Sequence, residues 1–187
     1  MPDKSTTEAT RPQSARAPLR GALDLARTHP APAATITIVA LGLLVFAIVW
    51  FQPHKLFVDT TVAEDLPPDA TAAGRIEVLA HGPFRGLDHD AAGDASLVEV
   101  DGDTYVRFEG NFRVLNGPDL VVYLSEHDAS SDASTFARDF ILLGQLKGNQ
   151  GSQNYRLPDD VDLSAYRSVV VWCRRFNVGF AVAPLEA

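Results

Sequence analysis

The chain contains very little sulfur: its 187 residues include one cysteine, Cys173, and one methionine, Met1. A single cysteine excludes an intramolecular disulfide and a Cys-x-x-Cys redox motif. Without an internal methionine, the chain also lacks a common ligand of haem iron and copper. The sequence therefore excludes a disulfide-stapled scaffold and a dithiol oxidoreductase.

Positive charge is also scarce, with 16 Lys and Arg against 24 Asp and Glu and a net charge of −8. Residues 1–53 carry five basic and three acidic side chains, so the acidity belongs to residues 54–187, which carry eleven and twenty-one. Binding to nucleic acid needs a basic surface, so we expect no nucleic-acid partner. The common nucleotide-binding and hydrolytic motifs are absent too, and we expect no stand-alone enzyme.

One long apolar run is present, over Thr35–Phe51, and reads TITIVALGLLVFAIVWF. A helix of about twenty residues can cross the hydrocarbon core of a bilayer, which is roughly 30 Å thick. Trp50 and Phe51 end the run, where aromatic side chains favour the membrane interface. We predict a transmembrane helix over residues 34–52 that contacts membrane lipid; a buried core helix is the alternative.

The charges around this run predict its orientation. Arg16, Arg20 and Arg27 lie shortly before it, and only Lys55 lies shortly after it. By the positive-inside rule the N-terminus should be cytoplasmic and the C-terminal part extracytoplasmic, in a single-pass protein of the plasma membrane. Because no small-residue cleavage site follows the run, we predict a retained signal-anchor and not a cleaved signal peptide.

The rest of the chain divides by composition and periodicity. Residues 1–33 are rich in Pro, Ala, Thr, Ser and Arg and should form a disordered cytoplasmic tail, and residues 53–73 should form a tether. Over residues 74–187, apolar positions alternate in short runs separated by turn signals such as Asp101-Gly102. This pattern predicts an all-β extracytoplasmic domain, a β-sandwich or barrel-like fold, after a single N-terminal transmembrane helix.

Three segments of this domain depart from the strand pattern. Glu126–Ala137 is polar and is predicted to be a surface loop, and Pro158–Tyr166 fits one short helical turn with Asp162 as its N-cap. Gly148–Ser152 is a glycine-rich loop whose amides either bind a ligand or satisfy the backbone of the loop itself.

Cys173 is the candidate site residue, as a redox thiol. It follows an apolar run in a predicted strand and precedes Arg174 and Arg175. One interpretation is a buried thiol that packs as a small apolar side chain. The other is a reactive thiol, because neighbouring arginines lower the pKa of a cysteine, and strand alternation places Arg175 on its face.

The histidines offer a weaker possibility. His81 and His89 together with Cys173 would suit copper or haem ligation, but no spacing requires the three to meet. We therefore predict no metal site and identify no cofactor. His54 and His127 are expected to be solvated.

Several stretches between about residues 75 and 185 carry a family resemblance. In chain order they are Gly82–Phe84 with His89 and Gly93, Tyr105–Phe108 with Asn111 and Phe112, Asn116–Leu120 with Tyr123–Ser125, Leu143–Gly151 with Gln153–Tyr155 and Pro158, Val161–Leu163 with Tyr166, and Val171–Cys173 with Phe176 and Phe180. In content and order they resemble the DM-thirteen domain, the electron-transfer module of Skeletor-type proteins.

This resemblance implies a β-rich extracellular domain with the family's cysteine at Cys173, and a role of that cysteine in redox or electron transfer. The chain departs from the domain's usual setting because we find no DOMON or cytochrome domain beside it. An electron partner would then be a separate redox protein or a small molecule.

Two functions follow from these observations. The first is a membrane-anchored extracytoplasmic domain with a redox or electron-transfer role centred on Cys173. The second is a non-enzymatic binding or adhesion module of the cell envelope in which Cys173 is structural. Exposure of the thiol favours the first, and full burial without an adjacent cavity favours the second.

Overall fold

A computed structural model describes residues 30–52, 58–66 and 76–187. Most of the predicted cytoplasmic tail, residues 1–29, lies outside the described residues. So do residues 53–57 and 67–75, which belong mainly to the predicted tether.

One long helix, α1, covers Pro30–Phe51 and has no buried residue. Proline is favoured in the first helical turn because the backbone N–H that it lacks would have no partner there. The hydroxyls of Thr35 and Thr37 donate to the carbonyl oxygens of Ala31 and Ala33, at 3.1 and 2.9 Å. The helix is long and apolar enough to span a membrane, judged by length and composition.

The rest of the described chain is mostly β-structure, which confirms the predicted fold class. The strands in chain order are β1 (Thr61–Ala63), β2 (Ile76–Pro83), β3 (Arg85–Gly86), β4 (Ala91–Ala92), β5 (Asp94–Val100), β6 (Asp103–Phe108), β7 (Arg113–Val114), β8 (Leu120–Ser125), β9 (Phe140–Gln145), β10 (Gln150–Arg156), β11 (Ser168–Cys173) and β12 (Val178–Pro184).

These strands form two sheets that together make a nearly closed, barrel-like β-domain. One sheet has the order β2-β5-β6-β10-β7-β4, with β1 added to β10 in parallel, and the other has the order β3-β12-β11-β8-β9. The other pairings are antiparallel, as expected for strands joined by short turns. The predicted turn at Asp101-Gly102 connects β5 to β6, and both residues have positive φ.

An aromatic cluster fills the space between the inner faces of the sheets. The ring of Phe108 lies 4.8 Å from that of Phe84, 4.5 Å from that of Phe112 and 5.4 Å from that of Tyr155, measured between centroids. Tilted and edge-on arrangements of this kind are the favourable ones for aromatic pairs. Valines of β8 and β11 and alanines of β12 complete this inner core.

A second apolar layer lies on the outer face of β8, β11 and β12. It is covered by the segment after β8, which we expected to be a surface loop but which contains a 3-10 turn at Ala133–Ala137 with a fully buried Phe136. The Tyr123 hydroxyl donates to the Phe136 carbonyl oxygen at 2.7 Å, and Arg85 Nε donates to the Ala129 carbonyl oxygen at 2.9 Å. The segment therefore contributes Ala129 and Phe136 to the core, while most of its other residues face solvent.

The predicted helical turn is confirmed. A 3-10 turn covers Leu163–Ala165, and the side chain of Asp162 accepts from the backbone N–H of Ser164 at 3.0 Å.

Part of the segment that we expected to be a tether is attached to the domain. Within 53–73, β1 pairs in parallel with β10, and Glu64 holds Lys147 through a 2.7 Å ion pair. Sequence periodicity could not detect a strand of three residues. The covalent connection between α1 and the domain is therefore shorter than predicted.

Gly151 permits this attachment. It has φ +87°, and a Cβ at this position would overlap the carbonyl oxygen of Val62 on β1. Gly102 has a similar φ of +90° but has no neighbouring atom within 4 Å of its Cβ position. Both glycines have a positive φ, but only at Gly151 would a Cβ meet another part of the chain.

We expect Gly151→Ala to lower the free energy of unfolding by clearly more than Gly102→Ala, which should cost about 1–2 kcal/mol for its left-handed backbone alone. Only Gly151→Ala should also open residues 58–66 to limited proteolysis. Denaturant unfolding and protease digestion of the detergent-solubilised chain provide the two measurements. Equal effects of both substitutions would contradict the close packing of β1 on Gly151.

The attachment should also depend on pH through Glu64. Partial burial raises the pKa of Glu64, but the hydrogen bonds from Lys147 and the Asn154 N–H and the charges of Lys147 and Arg107 outweigh it and hold the pKa below 4.5. Because the folded-state pKa is lowered, its contribution to stability is present above that value and is lost as pH falls through the folded pKa. Proteolysis between β1 and β2 should therefore increase on acidification, and Glu64→Gln or Lys147→Met should remove most of this pH dependence.

Candidate functional site

Cys173 is the last residue of β11, in the middle of the second sheet. It pairs with Leu120 of β8 on one side and with Val178 of β12 on the other. Its exposed fraction is 0%, and its side chain belongs to the inner core together with Phe180. The thiol is thus enclosed by apolar groups and has no contact with solvent.

The two arginines do not flank the thiol as strand alternation predicted. The strand ends at Cys173 and the chain turns, so Arg175 no longer shares a strand face with it. Arg174 instead forms an ion pair with Asp119, at 3.0 Å, and its backbone N–H donates to the Asp119 carbonyl oxygen. The expected activation of the thiol by Arg175 has no support in this geometry.

The histidines that we considered with Cys173 lie apart from one another. His81 is exposed, and its backbone bridges to Glu186. The imidazole of His89 packs on the ring of Phe180 with 3.9 Å between centroids. In residues 58–66 and 76–187, no three His, Cys, Asp or Glu side chains are grouped to hold a metal ion.

The remaining histidines have other surroundings. His54 lies outside the described residues. His127 was expected to be solvated, but its side chain is only 23% exposed and its Nε2 lies 3.2 Å from an Asp139 carboxylate oxygen. This pair joins the start of the segment that covers the outer apolar layer to the residues just after its end.

Trp172 and Tyr123 form a buried aromatic pair on the face of the sheet opposite to Cys173. Their ring centroids are 6.3 Å apart, and the ring of Phe140 stacks on Tyr123 at 4.2 Å. Burial raises the pKa of Tyr123 far above its ordinary value, so the phenol stays protonated. No sequence pattern indicated that this pair would meet, since its members are 49 positions apart.

The glycine-rich segment Gly148–Ser152 is only partly a loop, because β10 begins at Gln150, and the amide of Gln153 satisfies the backbone before it. Gln153 is fully buried, and its Oε1 accepts from the N–H groups of Lys147 and Gly148 at 3.1 and 3.2 Å and from the Tyr155 hydroxyl at 2.7 Å. Its Nε2 donates to the Gly148 carbonyl oxygen at 2.8 Å. Of the two interpretations of this loop, the geometry supports the structural one.

Asn149 holds the same loop from the other side. Its Oδ1 accepts from the Thr60 N–H at 2.7 Å, and its Nδ2 donates to Asp59 Oδ1 and to the Val114 carbonyl oxygen. The asparagine and glutamine of the resemblance thus join β1, β7 and β10.

A cavity of about 330 Å³ opens beside this loop. Leu120, the strand neighbour of Cys173, lines it together with Leu146, Asp119 and Gly117. Cys173 itself does not line this cavity. The thiol therefore lies in the core behind Leu120.

Replacement of Gln153 should remove the hydrogen bonds that hold the loop and destabilise the fold. We expect Gln153→Ala to leave the buried Gly148 N–H and Tyr155 hydroxyl without an acceptor and to lower the free energy of unfolding by about 2–5 kcal/mol, since each such group costs roughly 1–3 kcal/mol. Tyr155→Phe removes one donor to the same oxygen and the second acceptor of the Lys147 N–H, but it leaves both N–H bonds to Gln153, so it should cost about 1 kcal/mol. Denaturant titration compares the two, and a smaller loss for Gln153→Ala would contradict the role given to its amide.

The comparisons with known proteins can now be stated. A family model described as electron transfer DM13 matches residues 83–185, which is more than half of the 187-residue chain. The match runs from the end of β2 through β12 and includes Cys173. No curated protein and no solved structure matched the chain. The resemblance found in the sequence is confirmed, and the chain belongs to the DM13 electron-transfer family.

Proposed function

We propose that this chain is a single-pass protein of the plasma membrane that holds an electron-transfer domain outside the cytoplasm, and that Cys173 is its redox residue. The observation that carries the electron-transfer role is the family match, which spans nearly the whole β-domain. The electron donor or acceptor would be a separate redox protein.

Membrane anchoring is supported by the physical character of α1. A helix whose side chains are exposed all round and which carries no charge is unfavourable in water and favourable in a bilayer. The proposed orientation and the signal-anchor rest on Arg16, Arg20 and Arg27 before the helix against Lys55 after it.

The burial of Cys173 restricts how it would act. A mixed disulfide requires a partner sulfur to reach the thiol, and 0% exposure opposes such contact. An electron, in contrast, can pass from the enclosed thiol through the protein to the separate redox protein, which is the oxidant, and the thiol releases its proton in the same step. Among the modes open to this residue, burial therefore favours electron transfer across the surrounding core over thiol exchange.

The same burial favours a second candidate. In a binding or adhesion module of the cell envelope, Cys173 would only fill the core beside Phe180 and Leu120, as free cysteines commonly do. The two candidates differ in one respect that can be measured, which is whether removal of the sulfur abolishes electron exchange.

Thiol labelling tests how Cys173 is reached. We expect a maleimide to leave the native full chain in detergent unlabelled and to label it fully in urea, because the thiol is enclosed. If native labelling occurs, its rate is measured as a function of pH. A midpoint of this dependence below about 8.5 would then indicate a stabilised thiolate. Rapid native labelling would contradict the burial and reopen the thiol-exchange mode.

Voltammetry of the full chain in a lipid film tests the redox role. We expect a signal that is present in the native protein, lost in Cys173→Ala and retained in Val171→Ala. Val171 is the matched control because it lies two residues earlier on the same strand, is equally buried and belongs to the same cluster. A signal that survives Cys173→Ala would remove the cysteine from the proposal, and no signal from any of the three proteins would favour the binding module.

A further inference from the structure

We propose that the cavity beside the glycine-rich loop binds a neutral pyranose sugar, either free or at the end of an oligosaccharide. We call it the loop cavity, and it is the cavity of about 330 Å³ that Leu120 and Leu146 line. The inference goes beyond the proposed redox role and does not depend on it, because it concerns groups in the cavity wall and not the enclosed thiol.

Two separate stretches of the chain, both part of the family resemblance, build the loop cavity. Asn116–Leu120 forms one side, Gln145–Asn149 forms the other, and Thr60 contributes from the segment before β1. The two sides are joined by a backbone hydrogen bond, in which the Leu146 N–H donates to the Leu120 carbonyl oxygen at 2.9 Å. The walls are therefore held in place by the fold, which reduces the entropy that is lost when a ligand binds.

The volume of the loop cavity limits its ligand to a small molecule. Ligand pockets usually measure about 300–1,000 Å³, and this cavity lies at the lower end of that range. A single sugar ring is of suitable size, whereas a haem or a flavin is too large.

The two charged side chains of the cavity wall are neutralised by partners outside it. Asp119 pairs with Arg174 at 3.0 Å, and Lys147 pairs with Glu64 at 2.7 Å. All other residues that line the cavity are uncharged. An anion would find no free cationic group in the wall and a cation would find no free carboxylate, so the wall suits a neutral ligand.

Three polar side chains of the wall have hydrogen-bonding groups to spare. Within the described part of the chain, the Gln145 amide and the Thr60 hydroxyl have no hydrogen-bond partner, and the Asn116 side chain uses its Nδ2 but not its Oδ1. An amide and a hydroxyl can each donate and accept. A ligand hydroxyl does both as well, so a molecule with several hydroxyls matches this set of groups.

Apolar side chains form another part of the wall. Leu120 and Pro118 are buried, and Leu146 is half-buried. A pyranose ring carries hydroxyls around its edge and C–H groups on its faces. It can therefore place one face on these apolar side chains and direct its hydroxyls to Gln145 and Thr60, so that its polar groups stay hydrogen-bonded when they leave water.

Saturation-transfer difference NMR on the full chain tests the proposal. The chain is kept in a detergent with a phosphocholine headgroup, because the headgroup of a maltoside is itself a sugar. The neutral probes are glucose, galactose, mannose and N-acetylglucosamine. Cellobiose and lactose, which end in glucose and galactose, represent the ends of oligosaccharides. Glucuronate and glucosamine present a similar ring with a negative or a positive charge.

Two substitutions in the wall are compared with a matched control. Gln145→Leu and Thr60→Val each remove a spare polar group and nearly keep the size of the side chain. Gln150→Leu is the control, because it makes the same replacement on β10 at a residue that does not line the cavity. Thermal unfolding of each variant shows whether it is folded, and if one of the two wall variants does not fold, the other provides the test.

We expect saturation transfer to at least one neutral sugar, with an affinity that falls several-fold in Gln145→Leu and Thr60→Val and is unchanged in Gln150→Leu. The charged sugars should bind several-fold more weakly than the neutral ones. A disaccharide that binds more tightly than its terminal sugar would identify an oligosaccharide end as the ligand, and the reverse order would identify the free sugar.

Three results would overturn the inference. The first is the absence of saturation transfer to every neutral sugar. The second is binding that neither Gln145→Leu nor Thr60→Val weakens, since the sugar would then lie elsewhere on the protein. The third is tighter binding of a charged sugar than of the neutral ones.

Discussion

The structure depends on two strands that are buried on both faces. All six residues of β8 and all six of β11 are buried, so the sheet that contains them needs an apolar layer on each side. The aromatic cluster of the other sheet supplies the inner layer, and the segment around Phe136 supplies the outer one. Without the second layer, Tyr123, Val170 and Trp172 would face water, an apolar loss of about 1.5–3 kcal/mol for each large side chain.

A strand with one buried face was predictable from the sequence. The apolar layer that covers the outer face of β8 and β11 was not. Alternation over Thr104–Phe108 indicated a strand because Val106 and Phe108 lie on its one buried face. The segment after β8 reads as polar, and its single large apolar residue, Phe136, gives no periodicity by which burial could be recognised. β1 was missed for a related reason: its place on β10 depends on Gly148 and Gly151, which lie almost ninety positions away in the sequence.

The candidate site, too, was only partly predictable from the sequence. The sequence singled out Cys173 and the glycine-rich loop, and the family match covers both. It could not show that β11 ends at the cysteine, and this is why Arg175 is not on its face. The internal partners of Gln153 and Asn149 were also beyond prediction, because whether an amide serves a ligand or its own backbone depends on which groups lie opposite it in three dimensions. The amides of Gln153 and Asn149 hold the architecture.

The position of β1 has a mechanical consequence. A force that draws the domain away from α1 reaches the β-domain first through Val58–Thr60, which Asn116 and Asn149 hold by hydrogen bonds, and then through β1 and the ion pair between Glu64 and Lys147. These few bonds should yield before the double-layered sheet does, because β1 pairs with β10 alone and over only three residues. Once it has peeled off, residues 58–75 become free length, about 60 Å at full extension. The connection between α1 and the domain can thus become several times longer under load. The force at which it lengthens is set by the contacts that hold β1 and the residues beside it.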